Sequence, residues 1–279
     1  MSRRGAASWL QELLFWAALA LAALFILVPF LWVASAAFKR RIDLLVGKIV
    51  FEPVLSNFNE LFFSRGSDFA LNFANSMIVG IASTAIVLLI TSMTAYTMHR
   101  FRWPRWVTPA LFLWAVFFHM IPGIVIVSAW FVMFQYMGLL NTYLGLVLGH
   151  VTHNLPIGLF LMSAFVREVP QELEEAAQVD GAGPAGVFFR VVMPVILPGL
   201  IATAIIVFVF SWNEFPIALN LTNRATQTVP VAIAKFAQEY EIRFGEMAAG
   251  ALLSTLPALL LLIVGQRYIV RGLTAGALK

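Results

Sequence analysis

The chain has 279 residues, of which 61% are hydrophobic and 11% charged, with a mean hydropathy of +0.89. Soluble globular chains carry roughly 25% charged and 45–50% apolar residues, and a chain of this length cannot enclose a core large enough to hide the surplus, so the composition belongs in a bilayer. Cysteine is absent, which excludes a disulfide framework and a thiolate metal site; the net charge of +4 comes from basic residues dispersed at the ends of apolar stretches, not gathered into the stripe that binding nucleic acid requires.

Stretches long enough for a hydrocarbon core of roughly 30 Å lie near residues 13–38, 73–98, 107–136, 142–164, 196–221 and 246–267. They predict an all-α membrane protein of about six transmembrane helices, with both termini on the same side. Arg3 and Arg4 precede the first stretch, and Ala34-Ser35-Ala36 looks like a signal-peptidase site. That run is about 25 residues, however, whereas signal h-regions span roughly 7–15, so an uncleaved first span is expected. Gly138-Leu139-Leu140-Asn141-Thr142 supplies the short turn between the third and fourth stretches. In the fourth, His150 and His153 have no carboxylate or thiolate nearby in sequence, so hydrogen bonding between helices is expected rather than metal binding. His119 receives the same interpretation. Pro156 removes a backbone hydrogen bond and is expected to kink that helix, and Gly145-x-x-x-Gly149 permits a close helix approach.

Between the fourth and fifth stretches lies a polar island, Arg167 to Pro198. Pro170 suits a first helical turn, where its missing N–H costs nothing, and Glu172, Glu174 and Glu175 then sit near the positive end of a short helix. Gly181 is a suitable terminator. Gly183-Pro184 starts a second short helix with Val187, Phe188, Val191 and Val192 on one face, and Pro194 and Pro198 open the next span. The expected object is a helix–elbow–helix bracket. An amphipathic helix lying on lipid would carry Lys and Arg on its polar face; here that face carries Glu172, Glu174, Glu175 and Asp180, which anionic head groups would repel.

Within the island, Glu175-Ala176-Ala177, Gly181 and Val191-x-Met193-Pro194 resemble the EAA loop of ABC-importer permeases, with Val191 and Met193 as conservative departures from its I-x-L-P ending. Asn75-Ser76, Ala95-Tyr96-x-x-x-Arg100-Phe101, Met120-Ile121-Pro122, Asn154-Leu155-Pro156, Ser211-Trp212-Asn213-Glu214-Phe215 and Gly272-Leu273-Thr274-Ala275-Gly276-Ala277 together resemble a maltose-type carbohydrate importer permease, the shorter of that system's two. The resemblance implies a type I ABC importer permease: a single transmembrane domain over 1–279, a core over 71–265, and a cytoplasmic coupling loop at 167–198. It implies ATPase coupling through Glu175, Ala176, Ala177, Asp180 and Gly181. The implied partners are a second, different permease subunit, two ATPase subunits and an extracytoplasmic sugar-binding protein. The sequence holds no G-x-x-x-x-G-K-[ST] phosphate loop; ATP and Mg are therefore expected in the ATPase, with no cofactor or metal on this chain and no enzymatic activity of its own.

Ionisable groups inside a membrane often mark a pathway. Trp212, Asn213 and Glu214 offer a ring, an amide and a carboxylate suited to sugar hydroxyls, and with Asn154 they are the candidate translocation path; Glu214 near the membrane interface or bound to a neighbouring helix is the alternative. Two further loops, 39–72 and 222–245, face the opposite side from the island, and Thr226, Gln227 and Tyr240 in the second are candidate contacts for the binding protein. With the N-terminus inside, ten Lys and Arg fall inside and eight outside, a weak positive-inside bias that the Lys39-Arg40-Arg41 cluster opposes. The expectation of cytoplasmic termini in a bacterial or archaeal inner membrane therefore rests on the resemblance. Competing functions are a permease for another solute (a polyol, glycerol phosphate, a polyamine or a phosphonate) and a stand-alone secondary transporter. The latter often shows internal repeats and embedded coupling carboxylates, and Glu214 is the one clear carboxylate candidate.

Overall fold

The structure, a computed structural model, describes residues 4–237 and 242–275. Among them there is no strand beyond an isolated bridge between Ala237 and Ile242. Among the described residues four helices are long and apolar enough to cross a membrane, and each of two bent pairs completes a further candidate span. α1 (Arg4–Ala37), α4 (Phe69–Arg100), α7 (Tyr143–Arg167) and α14 (Phe244–Ala275) carry the unbroken spans. The third apolar stretch is not one helix. It divides into α5 (Val107–Met120) and α6 (Gly123–Tyr136), bent by 98°. Pro122 is the cause: it forces Ile121 into an extended conformation and cannot donate to the preceding turn. The fifth is broken too, into α11 (Leu197–Trp212) and α12 (Pro216–Leu221), with Pro216 opening the second piece. Pro156, expected to kink the fourth, lies inside α7, which runs as helix from Tyr143 to Arg167.

Two compact units are distinguished, one of Met1–Ser67 with Ile233–Thr255, the other of Asp68–Ala232 with Leu256–Lys279. In the larger, α4 packs most extensively on α7, with α11 against both. Small residues make the crossings close: a methyl group added at Gly158 would lie 2.7 Å from Val87 of α4, and one at Gly199 would lie 2.3 Å from the Phe165 ring of α7. A methyl group added at Gly149 would likewise lie 3.0 Å from Ile217 of α12, whereas one at Gly145 would meet the Thr142 hydroxyl and the Leu139 carbonyl of the 138–142 turn, so of the Gly145/Gly149 pair it is Gly149 that admits a helix. Val79, Val87, Val127, Leu146, Val151, Val207 and Ile217 fill the space between. The 138–142 turn forms as expected. Gly138 and Asn141 take φ of 66° and 60°, and the Thr142 hydroxyl accepts from the Gly145 N–H at 3.0 Å to cap α7.

In the smaller unit, α1 buries none of its span within the chain. It is followed by α2 (Arg41–Leu45) and α3 (Ser56–Phe63), tied back by the buried Asn57 side chain, which donates to the Ala37 and Lys39 carbonyls at 2.9 Å each. Lys39, the first member of the basic cluster beside the first span, is 2% exposed, and its ammonium lies over the Trp32 and Phe51 rings at 4.6 and 4.8 Å. Arg40 pairs with Glu52 at 3.0 Å, Lys48 with Asp43 at 3.5 Å, and Arg243 with Glu60 and Glu246 at 2.5 Å.

Candidate coupling site and polar core

α7 ends at Arg167, and Pro170 begins α8 (Gln171–Val179) as its N-cap residue, a position outside the helix proper where the absent N–H loses nothing. α8 ends in a Schellman turn. Asp180 is the C-cap, Gly181 takes φ +87°, and the N–H groups of Ala182 and Gly181 donate to the carbonyls of Ala177 and Gln178 at 2.9 and 3.0 Å. The second arm is α9 (Pro184–Val187), a π-helical turn over Phe188–Val192, and α10 (Met193–Val195), which meets α11 at a 76° bend. Val187, Phe188 and Val192 are buried with Tyr96, Met162 and Val166, so the arm is anchored on α4 and α7. Val191 is half-buried, at the edge of the face expected for it.

This anchoring turns one face of α8 outward. Glu172, Glu175, Ala176, Asp180 and Gly181 are exposed, while Ala177 is half-buried against the anchor. Leu173 and Val179 are exposed as well, Val179 by 87%. With Ala176 they stand at i, i+3 and i+6, an apolar ridge beside the carboxylates. The spacing was present in the sequence; only the packing shows that the ridge points away from the chain. Nothing lies within 4 Å of the position a Gly181 side chain would take. Its substitution is therefore a matter of backbone strain: Gly181→Ala is expected to destabilise the elbow by about 1 kcal/mol and Gly181→Val by more, with Gly181→Asn nearly neutral. Protease nicking rates at the elbow report the order.

Glu174 corrects the expected acidic face. It is 4% exposed and points inward, not outward with its neighbours. Its Oε1 accepts from Arg100 Nε at 2.6 Å, and Arg100 Nη2 donates to the Val169 carbonyl at 2.7 Å and, more weakly, to Val166 at 3.4 Å. Arg100 is the last residue of α4. The pair closes one wall of a cleft of about 500 Å3 that also involves Tyr96, Gln171, Glu175 and Pro184.

The proposed path residues diverge. Trp212 is buried in an aromatic cluster, edge-on to Phe73 at 5.3 Å and stacked near Phe208 at 5.7 Å. Asn213 is exposed. Glu214 is buried and its two oxygens accept from the N–H groups of Ile217 and Ala218 at 2.8 and 3.0 Å, which makes it the N-terminal anchor of α12. Glu214 Oε2 also lies 3.7 Å from His150 Nε2, beyond hydrogen-bond reach. His150 Nδ1 pairs with Ser211 Oγ at 2.7 Å, which pairs with Ser83 Oγ at 3.0 Å. A polar chain thus runs from α4 through α11 to α7, the interhelical role expected of His150. Asn154, buried beneath it, donates to the His150 carbonyl at 2.9 Å. His153 lies beside His119, with ring centroids 6.4 Å apart.

At the other end of α4, Asn75 donates to the Ala225 and Gln227 carbonyls at 3.0 and 2.9 Å, accepts from Tyr143 at 2.6 Å, and the Ser76 hydroxyl accepts from the Val229 N–H at 2.8 Å. These bonds hold the start of α13 (Val229–Ala234) and its loop. Thr226 is buried in that loop and Gln227 half-buried, while Asn223, Arg224 and Ala225 are exposed. Arg224 grips Asp68, whose carboxylate raises the guanidinium above its ordinary value. Tyr240 lies outside the described residues.

A helical membrane protein with broken spans and a rigid bracket extending from between two of them is the architecture of a type I importer permease. The chain belongs to the family of binding-protein-dependent transport system inner membrane components, which matches residues 88–275. It is 38% identical to the trehalose transport system permease protein SugB of Mycobacterium tuberculosis, over 91% of this chain and 92% of that one. It is 32% identical to the trehalose/maltose transport system permease protein MalG of Thermococcus litoralis, over 93% and 94%. Among solved structures, a bacterial ABC transporter involved in import of the acidic polysaccharide alginate aligns with a TM-score of 0.79 at 19% identity, covering 96% of this chain and 98% of the other. That likeness extends to the fold.

Proposed function

We propose that this chain is half of the translocation pathway of an ATP-driven carbohydrate importer, working as one transmembrane domain. The observation that carries the proposal is the outward ridge of Leu173, Ala176 and Val179 flanked by Glu172 and Glu175, on a helix stiffened by the Gly181 turn. A short helix with apolar side chains and carboxylates exposed together suits a cleft on a protein with basic residues at its edge, and suits an anionic lipid surface poorly. The cleft belongs to an ATPase subunit that holds ATP and Mg; a second permease completes the pathway and a binding protein delivers solute from the far side. In this arrangement α8 and both termini are cytoplasmic. Sugar, rather than another solute, is supported by the trehalose and maltose transport named for the relatives. Asn213 is the exposed member of the candidate path set and would meet solute first, while Thr226 and Gln227 would act on the binding protein through the shape of their loop.

The test is uptake of radiolabelled disaccharide by proteoliposomes containing the complete set of subunits. Transport that requires both ATP and the binding protein supports the proposal; transport by this chain alone, driven by an ion gradient, overturns it. Orientation is checked separately. The sequence has no cysteine, so a single cysteine placed at Ala185, exposed on the second arm, should be labelled by an impermeant maleimide in inside-out vesicles and spared in intact cells.

A further inference from the structure

We infer that Arg100 and Glu174 form a strut that delivers motion of α8 to α4, so that Arg100 is a positioning residue for coupling. The inference rests on the reading of α8 as the ATPase-docking helix. α8 joins α7 through Glu168 and Val169 and the second arm through the Gly181 turn, and both connections are backbone links along the chain. The guanidinium of Arg100 is a third link, to a helix far away in sequence. One planar fork joins three acceptors at once: the Glu174 carboxylate within α8, the Val169 carbonyl just before it, and the Val166 carbonyl in the last turn of α7. The pair is nearly closed off from solvent, with side-chain exposures of 11% and 5%.

Burial gives this link its mechanical sense. An exposed pair exchanges readily with water and transmits little. A buried one cannot open without leaving a carboxylate and a guanidinium unpaired in a low-dielectric site. A displacement of α8 is therefore shared by α4 rather than absorbed by sliding. α4 in turn carries Ser83 of the polar chain to α7 and α11, and Asn75 and Ser76 of the clamp on the 222–229 loop. A single rigid helix thus connects the docking helix to the opposite end of the bundle.

The experiment uses the complete importer in proteoliposomes and reads both ATP hydrolysed and disaccharide carried. Replacing both partners by methionine, Arg100→Met with Glu174→Met, removes the strut while leaving no buried charge unpaired, and thermal unfolding in detergent checks that the variant folds. Expected is retention of the ATPase subunits on purification, with the ratio of ATP hydrolysed to solute carried rising about tenfold. Arg100→Lys, which keeps the charge but lacks the planar fork, should restore part of the ratio. A merely structural role would lower hydrolysis and transport together and leave the ratio unchanged. An unchanged ratio in the double variant overturns the strut, as does loss of the ATPase subunits from it. Glu175→Lys is the control for the docking reading: if it leaves ATPase retention and uptake intact, that reading fails and the strut falls with it, an outcome distinct from failure of the strut alone.

Discussion

Glu175→Lys should leave a chain that inserts, purifies and melts as before, yet retains no ATPase and carries essentially no solute. Glu175 is exposed on the outer face of α8, where its replacement disturbs nothing in the chain itself; surface changes of this kind lie within about 0.5 kcal/mol of neutral. Across an interface the same change converts attraction to repulsion against a basic neighbour, and a lost buried charge pair commonly weakens binding by about 2–5 kcal/mol. That corresponds to roughly 30- to several-thousand-fold in affinity. The apolar ridge supplies an independent check. Val179→Asp removes a side chain that is 87% exposed in the isolated chain and whose burial on a partner is worth about 1.5–3 kcal/mol. It should weaken ATPase retention about tenfold or more, while Gln178→Ala does so little. Copurification followed by quantitative immunoblotting measures both. If Glu175→Lys leaves the complex and uptake intact, the bracket is not the docking element.

The second large effect belongs to Glu214, and it is an effect on folding rather than on solute. Two backbone N–H groups at the start of α12 converge on this carboxylate. Glu214→Ala strands both donors out of reach of water. Each buried donor left unsatisfied costs about 1–3 kcal/mol, so the variant should lose about 3 kcal/mol and its thermal unfolding in detergent should shift down by several degrees. Glu214→Gln retains one acceptor oxygen and should recover part of that loss. Asn213→Ala, at the exposed neighbouring position, should leave the unfolding temperature unchanged, because its side chain returns to the Val209 carbonyl of its own helix. A Glu214→Ala protein as stable as the parent would remove the carboxylate from this anchoring role.

Some of this architecture follows from local rules that need no folded chain. The spans are legible because apolar length has one cheap explanation in lipid. The 138–142 turn is legible because Gly138 and Asn141 belong to the residue types that enter the left-handed region at low cost, and the end of α8 because Gly181 does the same. Harder to read were the broken third stretch and the fate of individual polar residues. Hydropathy averages over a window and does not distinguish a straight helix from two halves at 98°, although Pro122 was the available signal.

The sequence by itself determined that this is a membrane-spanning chain with a charged bracket between two spans, because length, hydropathy and turn chemistry are properties of contiguous residues. Only the tertiary structure decided which side chains of that bracket look outward. Glu174 and Glu175 are adjacent in the chain, yet one is buried against Arg100 and the other exposed. A helix rotates successive residues by about 100°, and the direction of each is set by whatever the helix packs against. Here that partner is the end of α4, 74 residues earlier in the chain, a distance across which no local pattern carries information.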